Sequence, residues 1–507
     1  MRKLWVGVFV VGVVLRIAFV WRPTDYRLLN SWRECDYTSI ARSFYTEGMN
    51  ILNPRVDWRG STTGFAEMEL PVLPWTAALL YHVAGYHEEI LRVLSALCSV
   101  LALIAFAGLA RRALSPAGAL VATALFAVNG LLFALSGAIQ PESLQVLFTI
   151  LTASAVYRWY ESGSGRTLLL ACAMAAVAIL TKASSAYLGV LLAYAVLRKE
   201  GMRAFTNPMV YLSAFVALAV PLLWYGWAHA HYLSTGLSLG LSNETHFLSW
   251  DLLVHPWTWL RGNFAAEVVH VFAISGTLLA ALALFLPWKS IELTLGWYAS
   301  VWVFYIVSAD TSGDGWAYYY HCLSIPPACM LMGLGCVAAS DAAVLRKLRM
   351  RAAIGSRFGT VLVVLTIVAT LAWGSRRQYQ TMTATDLEPL YRCAVSLRDE
   401  VPSDARIVVR GGTRVDEHGH PVAFNESMVF TWMNRTGFNY AQEDFTEATL
   451  RAIAQKGGRY WLAAPDDRAV THVYASLSAK CTLVAHCDQY DLFDISPLAR
   501  AVDLQPH

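Results

Sequence analysis

The chain has 507 residues, 56% of them hydrophobic and 15% charged, with a mean hydropathy of +0.44 and a formal net charge of +3. Soluble domains carry about 25% charged residues, so an ordinary water-soluble protein is excluded. The charge excess is too small to hold nucleic acid through its phosphates.

Apolar stretches near the roughly 20 residues needed to cross a hydrocarbon core recur through the first three quarters of the chain. About eleven are expected as spans: 4–21, 90–110, 117–135, 144–157, 168–180, 186–197, 209–227, 268–286, 293–307, 322–338 and 360–373. An α-helical polytopic membrane protein follows. The first stretch has the length of a signal peptide, yet no small-residue cleavage site follows it, and it reads as a retained span.

Basic residues set the orientation. Arg2 and Lys3 place the N-terminus in the cytoplasm. Arg111, Arg112, Arg158, Arg166, Arg198, Lys199, Arg203, Lys289, Arg346, Lys347, Arg349, Arg351 and Arg357 then fall in cytoplasmic loops, whereas the short outer loops keep little but Lys182 and Arg261. An odd number of spans leaves the tail outside.

The hydrophilic stretch 22–85 follows the first span and is far longer than an ordinary connection. It holds Trp32-Arg33-Glu34-Cys35-Asp36-Tyr37 and closes on Glu67-Met68-Glu69-Leu70-Pro71-Val72-Leu73-Pro74-Trp75. Tyr37, Ile40, Ala41 and Phe44 have the spacing of one helix face. They predict a helix lying along the membrane surface with Asp36 as its N-cap. A second interfacial helix is expected after Glu69. On the same predicted side fall Glu34, Asp36, Glu67, Glu69, Glu142, Lys182, Asp310 and Asp314. Charged groups beside a bilayer are usually paired or functional, which points to one outward-facing site.

The tail, 376–507, changes character. Ile407-Val408-Val409 and Tyr460-Trp461-Leu462 read as strands, and 444–454 and 469–479 as helices, giving a small extracytoplasmic α/β domain. No glycine-rich phosphate motif opens its helices, so no nucleotide site is expected there. Of nine cysteines, those in apolar stretches read as packing residues. Cys393, Cys481 and Cys487 lie in the polar tail, and outside the cytoplasm Cys393 can pair with one of the other two. Asn243-Glu244-Thr245, Asn425-Glu426-Ser427 and Asn434-Arg435-Thr436 match glycosylation sequons, a short pattern without meaning in a bacterial protein.

With these features in place, the chain resembles the GT-C glycosyltransferases. It is most similar to the branch holding protein O-mannosyltransferases, the aminoarabinose transferase of lipid A and bacterial lipid-linked sugar transferases. Those proteins carry, after the first span, an acidic group followed by Tyr and an Ile-Ala-Arg type helix, which Glu34-Cys35-Asp36-Tyr37 and Ile40-Ala41-Arg42 match. Glu69-Leu70-Pro71-Val72-Leu73-Pro74-Trp75 is similar to their Pro-Pro-Leu-Tyr-like run. It departs at Leu70, and at Glu69, where relatives often have His or Lys. Gln140-Pro141-Glu142-Ser143-Leu144, Leu180-Thr181-Lys182 and Tyr318-Tyr319-Tyr320 before Pro326-Pro327 match later motifs. The resemblance covers about residues 1–375, which it implies is one GT-C-like transmembrane domain including loop 22–85, with 376–507 apart.

The resemblance implies a donor sugar on a polyprenyl phosphate, held among membrane lipids, and a glycan, lipid or protein hydroxyl as acceptor. Transfer is expected on the outer face of a bacterial inner membrane, with inversion at the anomeric carbon. Asp36 is the candidate base and Glu34 its first substitute; the competing reading of Asp36 is a helix cap alone. Lys182 and Arg92 are candidates for the leaving phosphate, against a lysine that merely snorkels to the interface. Arg16, inside the first span, either touches phosphate or pairs with a buried acid. Glu67, Glu69, Glu142, Tyr37, Tyr319 and Tyr320 are candidate substrate contacts, Glu142 also as a brace for Lys182; the competing and favoured reading of Tyr318, Tyr319 and Tyr320 is an aromatic belt at the membrane interface. Relatives differ in metal use; if a divalent cation, magnesium or manganese, takes part, Asp36 and Glu69 suit it. Two rivals remain. An O-antigen ligase or polymerase places its large outer loop late in the chain, and a flippase or transporter needs polar or broken helices at mid-membrane.

Overall fold

In lipid every backbone polar group must be satisfied internally, and helices do this within one segment. The computed structural model describes all residues except Met1, Phe19, Pro23, Thr24, 245–253, Asp314, 417–418 and 501–507. Asp314 and Thr245, and the side chain of Asp310, thus lie outside the described residues. The chain divides into two compact units.

The first unit comprises Met1–Arg22, Arg92–Trp224 and His246–Gln380. Among the described residues, five helices are long and apolar enough to cross a membrane: Glu89–Ala113, Pro208–Thr235, Trp259–Ala283, Trp288–Val307 and Ala352–Thr383. Two bent pairs raise this to seven: Pro116–Val128 with Gly130–Ser136 at 51°, and Ala317–Leu323 with Ile325–Ala338 at 54°. The sequence led us to expect about eleven. Three of the missing stretches fall short in length: 168–180 and 186–197 form helices of 17 and 13 residues, and the first helix, Arg2–Ile17, has 16. The fourth, 144–157, forms helix Glu142–Ser162, long enough at 21 residues but not apolar enough.

Phe215, Leu222 and Leu223, on the Pro208–Thr235 helix, are 67%, 68% and 74% exposed, an apolar face suited to lipid rather than water. The protein is an integral membrane protein. One bend is written locally: the Asn129 side chain accepts from the N–H groups of Leu131 and Leu132 and so starts a new helix. Gly130 there lies against the Ala352–Thr383 helix, where a Cβ would come within 2.4 Å of the Thr370 carbonyl. Only glycine permits that approach. Arg16 is fully buried and donates to the carbonyls of Gly12, Phe126 and Ala127 at 2.8–3.1 Å, so its hydrogen bonds go to backbone carbonyls rather than to the buried acid considered from sequence.

The second unit comprises Pro23–Leu91, Tyr225–Thr245 and Thr381–His507. The loop that the sequence grouped with the spans therefore packs with the tail. Backbone bonds zip the two: the Gly60 N–H donates to Gly437 O at 2.7 Å, and the Gly437 N–H to Asp57 O at 2.9 Å.

The tail holds a five-stranded mixed sheet, ordered β2-β1-β3-β5-β4. Its strands are β1 (Arg406–Arg410), β2 (Gly437–Tyr440), β3 (Gly458–Ala463), β4 (Thr482–Cys487) and β5 (Tyr490–Asp494). β1 runs parallel to β2 and β3, and β5 is antiparallel to β3 and β4. Val408, Trp461 and Phe493 come from the three central strands, and Leu450, Ile453 and Leu477 pack on them from helices Glu447–Gln455 and Thr471–Lys480. Cys393 and Cys487 are joined in a disulfide, tying helix Glu388–Leu397 to the end of β4.

Candidate functional site

The candidate residues fall in two centres, one in each unit. The acidic centre is built on helix Ser31–Glu47 of the second unit. The helix starts at Asn30, six residues before Asp36, so Asp36 is not its N-cap. Glu34 serves the helix start instead: its Oε1 accepts from the N–H groups of Leu29 and Asn30 at 2.7 and 3.3 Å. That use of an early glutamate resembles a capping box. Gly48, at φ 127°, ends the helix where an L-residue would be strained.

Tyr37, Ile40, Ala41 and Phe44 face the core as their spacing predicts, yet Arg33, Glu34, Asp36, Thr38, Ser39 and Ser43 are buried too. The helix is enclosed rather than laid half-exposed along a surface, a correction to the amphipathic reading. Helix Val72–Ala84, the expected second element, packs on it, and so does the tail helix Met428–Met433.

Asp36 is wholly buried. Its Oδ1 accepts from the Trp58 indole N–H at 2.9 Å, while its Oδ2 is buried without a hydrogen-bond partner among the described residues. Burial pushes the Asp36 carboxyl up to about 7 against the pull of Trp58 and Arg33, with Glu426 and Asp57 adding to the rise. A carboxyl that titrates near neutrality can take or give a proton under physiological conditions.

Tyr37 donates its hydroxyl to Glu69 Oε1 at 2.6 Å, and the Arg33 guanidinium stands 3.5 Å from the same oxygen. These bonds bring Tyr37, Glu69 and Arg33 together. Glu67 turns elsewhere. Its Oε1 meets His229 Nδ1 and the Ser242 hydroxyl at 2.9 Å each, and its Oε2 accepts from the Ser238 hydroxyl at 2.7 Å. Its backbone pairs with Leu237 and Leu239, so Glu67 acts as the anchor of segment 225–245. Among the described residues, no three His, Cys, Asp or Glu side chains converge as a metal site.

The basic centre lies in the first unit. Helix Gly165–Thr181 ends at Lys182, whose side chain forms a buried ion pair with Glu142, the first residue of helix Glu142–Ser162. The ammonium lies 4.5 and 4.6 Å from the ring centroids of Tyr319 and Tyr320. Carboxylate and two aromatic faces fix a lysine as a positive point charge. Glu142 Oε2 is buried with no hydrogen-bond partner among the described residues. The ion pair places Glu142 where a brace for Lys182 would stand, and Lys182 is 6% exposed, whereas a snorkelling lysine keeps its ammonium in water. Arg92 is fully buried and donates to the Gly137 carbonyl at 2.8 Å.

Several contributors carry no sequence signal. An indole such as Trp58 belongs to no motif, and His229, Ser238 and Ser242 follow an apolar stretch that reads as a span. Glu267 was detectable, being an acid at the edge of a span. Its carboxylate gathers the hydroxyls of Tyr298, Tyr305 and Ser324 at 2.7–3.0 Å and His321 Nδ1 at 2.7 Å. It holds the short helix Gly315–Leu323 that carries Tyr319 and Tyr320, and His321 also bonds the Ser312 carbonyl at 3.1 Å.

Residues 69–227 match the family model for dolichyl-phosphate-mannose-protein mannosyltransferase. Comparison with curated proteins finds no matching sequence. Among solved structures, the chain is similar to ArnT from Cupriavidus metallidurans in the apo state. The TM-score is 0.61 at 15% identity over 98% of this chain and 99% of that one. The same protein bound to undecaprenyl phosphate matches at 0.59 and 13%, over 96% and 97%. The oligosaccharyltransferase of Archaeoglobus fulgidus matches at 0.62 and 12%, over 92% of this chain and 69% of that one. At these identities the likeness is one of fold.

Proposed function

We propose that this chain, a GT-C glycosyltransferase by fold and by its match to the mannosyltransferase model, moves a sugar from a polyprenyl-phosphate carrier to an acceptor hydroxyl. The acceptor oxygen attacks the anomeric carbon, Asp36 takes its proton, and the bond to the carrier phosphate breaks with its electron pair left on the phosphate. The configuration inverts. Asp36 Oδ2 carries the reading: a wholly buried carboxylate oxygen without a hydrogen-bond partner among the described residues is costly unless a ligand uses it. Trp58 holds the other oxygen and fixes the carboxylate plane.

Lys182 offers its charge to the leaving phosphate, with Glu142, Tyr319 and Tyr320 holding it in place. The active face is the outer one, in a bacterial inner membrane. The distribution of arginine and lysine supports this side, as does the tail disulfide, which belongs to an oxidising compartment. A full complement of about eleven spans, counting the shorter helices, would fit that orientation.

The test is gene replacement in the source organism with Asp36→Asn or Lys182→Ala, followed by mass spectrometry of extracted lipids. The polyprenyl-phosphate sugar should accumulate in both, and its mass would identify the sugar. Unchanged carrier lipids in both strains would overturn the reading.

A further inference from the structure

The tail is stitched to the helix that carries Asp36. The Ser427 hydroxyl donates to Trp32 O at 2.6 Å, the Thr431 hydroxyl to Cys35 O at 3.1 Å, and the Arg42 guanidinium to Thr431 O at 3.3 Å. These bonds hold residue 426 against the first turns of helix Ser31–Glu47. We propose that Asn425 and Glu426 complete the acceptor side of the Asp36 centre and bind the hydroxyls of a carbohydrate acceptor. The inference rests on reading the chain as a glycosyltransferase with Asp36 as base, and it names the acceptor class and the residues that read it.

Unused hydrogen-bonding capacity supports it. Asp36 Oδ2 and both polar atoms of the Asn425 side-chain amide are buried, with no hydrogen-bond partner among the described residues. Such groups are costly when left unmade, and buried polar groups in native proteins nearly always have partners. Glu426 accepts from the Met428 N–H at 2.7 Å and so has a local role in starting the tail helix. Burial also pushes its carboxyl up to about 7, and its charge is among those that raise Asp36. The Glu426 carboxyl is thus within electrostatic reach of Asp36.

The chemistry selects the acceptor. A serine or threonine acceptor brings one hydroxyl, which Asp36 alone can serve. A sugar brings adjacent hydroxyls that each donate and accept. A primary amide, which also does both, and a second carboxyl match that pattern.

The test uses full-length protein in lipid nanodiscs and saturation-transfer NMR. The probes are methyl mannoside, methyl glucoside and methyl arabinofuranoside, with N-acetyl-threonine methylamide for contrast. At least one glycoside should bind the wild type, and Glu426→Gln and Asn425→Ala should each weaken it about fivefold or more, the loss of a hydrogen bond. Gln keeps an oxygen for the Met428 N–H, and retained binding of undecaprenyl phosphate reports a folded protein. Glycoside binding unchanged in both variants would overturn the inference. So would a wild type that binds only the threonine amide, or no probe at all. If these variants bind like wild type while Asp36→Asn accumulates carrier-linked sugar, the transferase reading stands and the tail assignment falls.

Discussion

The Trp58 indole N–H donates to Asp36 Oδ1 at 2.9 Å, and this one bond sets which oxygen of a buried carboxylate is left without a hydrogen-bond partner among the described residues. Asp36→Asn should cut transfer by about 10²–10⁴-fold, the usual contribution of a general base. Trp58→Phe should keep Asp36 but lose its orientation, so kcat should fall by a smaller factor with the acceptor KM nearly unchanged. Transfer rates for both variants against wild type check this, and full activity in Asp36→Asn would remove the base.

The pH profile follows from the same residue. Burial raises the Asp36 carboxyl to about 7, so a base there is protonated and idle in acid. Below pH about 7, kcat/KM should drop roughly tenfold per unit. In Trp58→Phe, which removes a hydrogen bond that favours the ionised form, the acid limb should move upward.

Stability should run the opposite way. The folded Asp36 binds its proton more tightly than an unfolded aspartate, whose value is 3.8. The contribution is fully present below pH about 4 and is lost as pH rises towards about 7. Asp36→Asn, which cannot ionise, should therefore melt higher than wild type at pH 8 and close to it at pH 4. Thermal unfolding at the two values tests the sign.

Lys182→Ala should cost about 10²–10³-fold in transfer, the scale of one lost electrostatic donor. Lys182→Arg should recover part, since it keeps charge but not a point-charge geometry. Glu142→Gln should lose the ion pair and lower activity with the lysine still present. Wild-type rates in Lys182→Ala would leave the ion pair with Glu142 a structural one only.

Breaking the Cys393–Cys487 disulfide, which spans 94 residues, should destabilise the tail by roughly 2–5 kcal/mol. In Cys393→Ser, limited proteolysis should cut within the tail sooner than in wild type. Equal cleavage rates would mean that sheet packing alone suffices.

The alternation of apolar stretches and the placement of arginine and lysine made the membrane class legible, because both reflect bilayer physics directly. Tyr37, Ile40, Ala41 and Phe44 revealed a helix through their spacing. They did not reveal its environment, since a helix buried on all sides by polar contacts has no exposed polar face to betray it. Lys182 with Glu142, Tyr319 and Tyr320 was readable one residue at a time, but their meeting depends on helix packing. Asn425 and Glu426 sat inside a short sequon, where nothing local distinguished them from chance. The Cys393 pairing was narrowed to two partners, and strand β4 decides between them by ending at Cys487.

Helix Ser31–Glu47 receives hydrogen bonds from Ser427 and Thr431, 395 and 396 positions further along the chain. At 5–20 residues per second of translation, the ribosome delivers those partners roughly 20–80 s after the helix itself. Over that interval the carbonyls of Trp32 and Cys35 keep their bonds within the helix but lack the second bonds from Ser427 and Thr431 that dock the tail on it. The second unit is therefore assembled last, after every span has been made, and a ribosome that stalls before residue 427 leaves behind an inserted but unfinished protein.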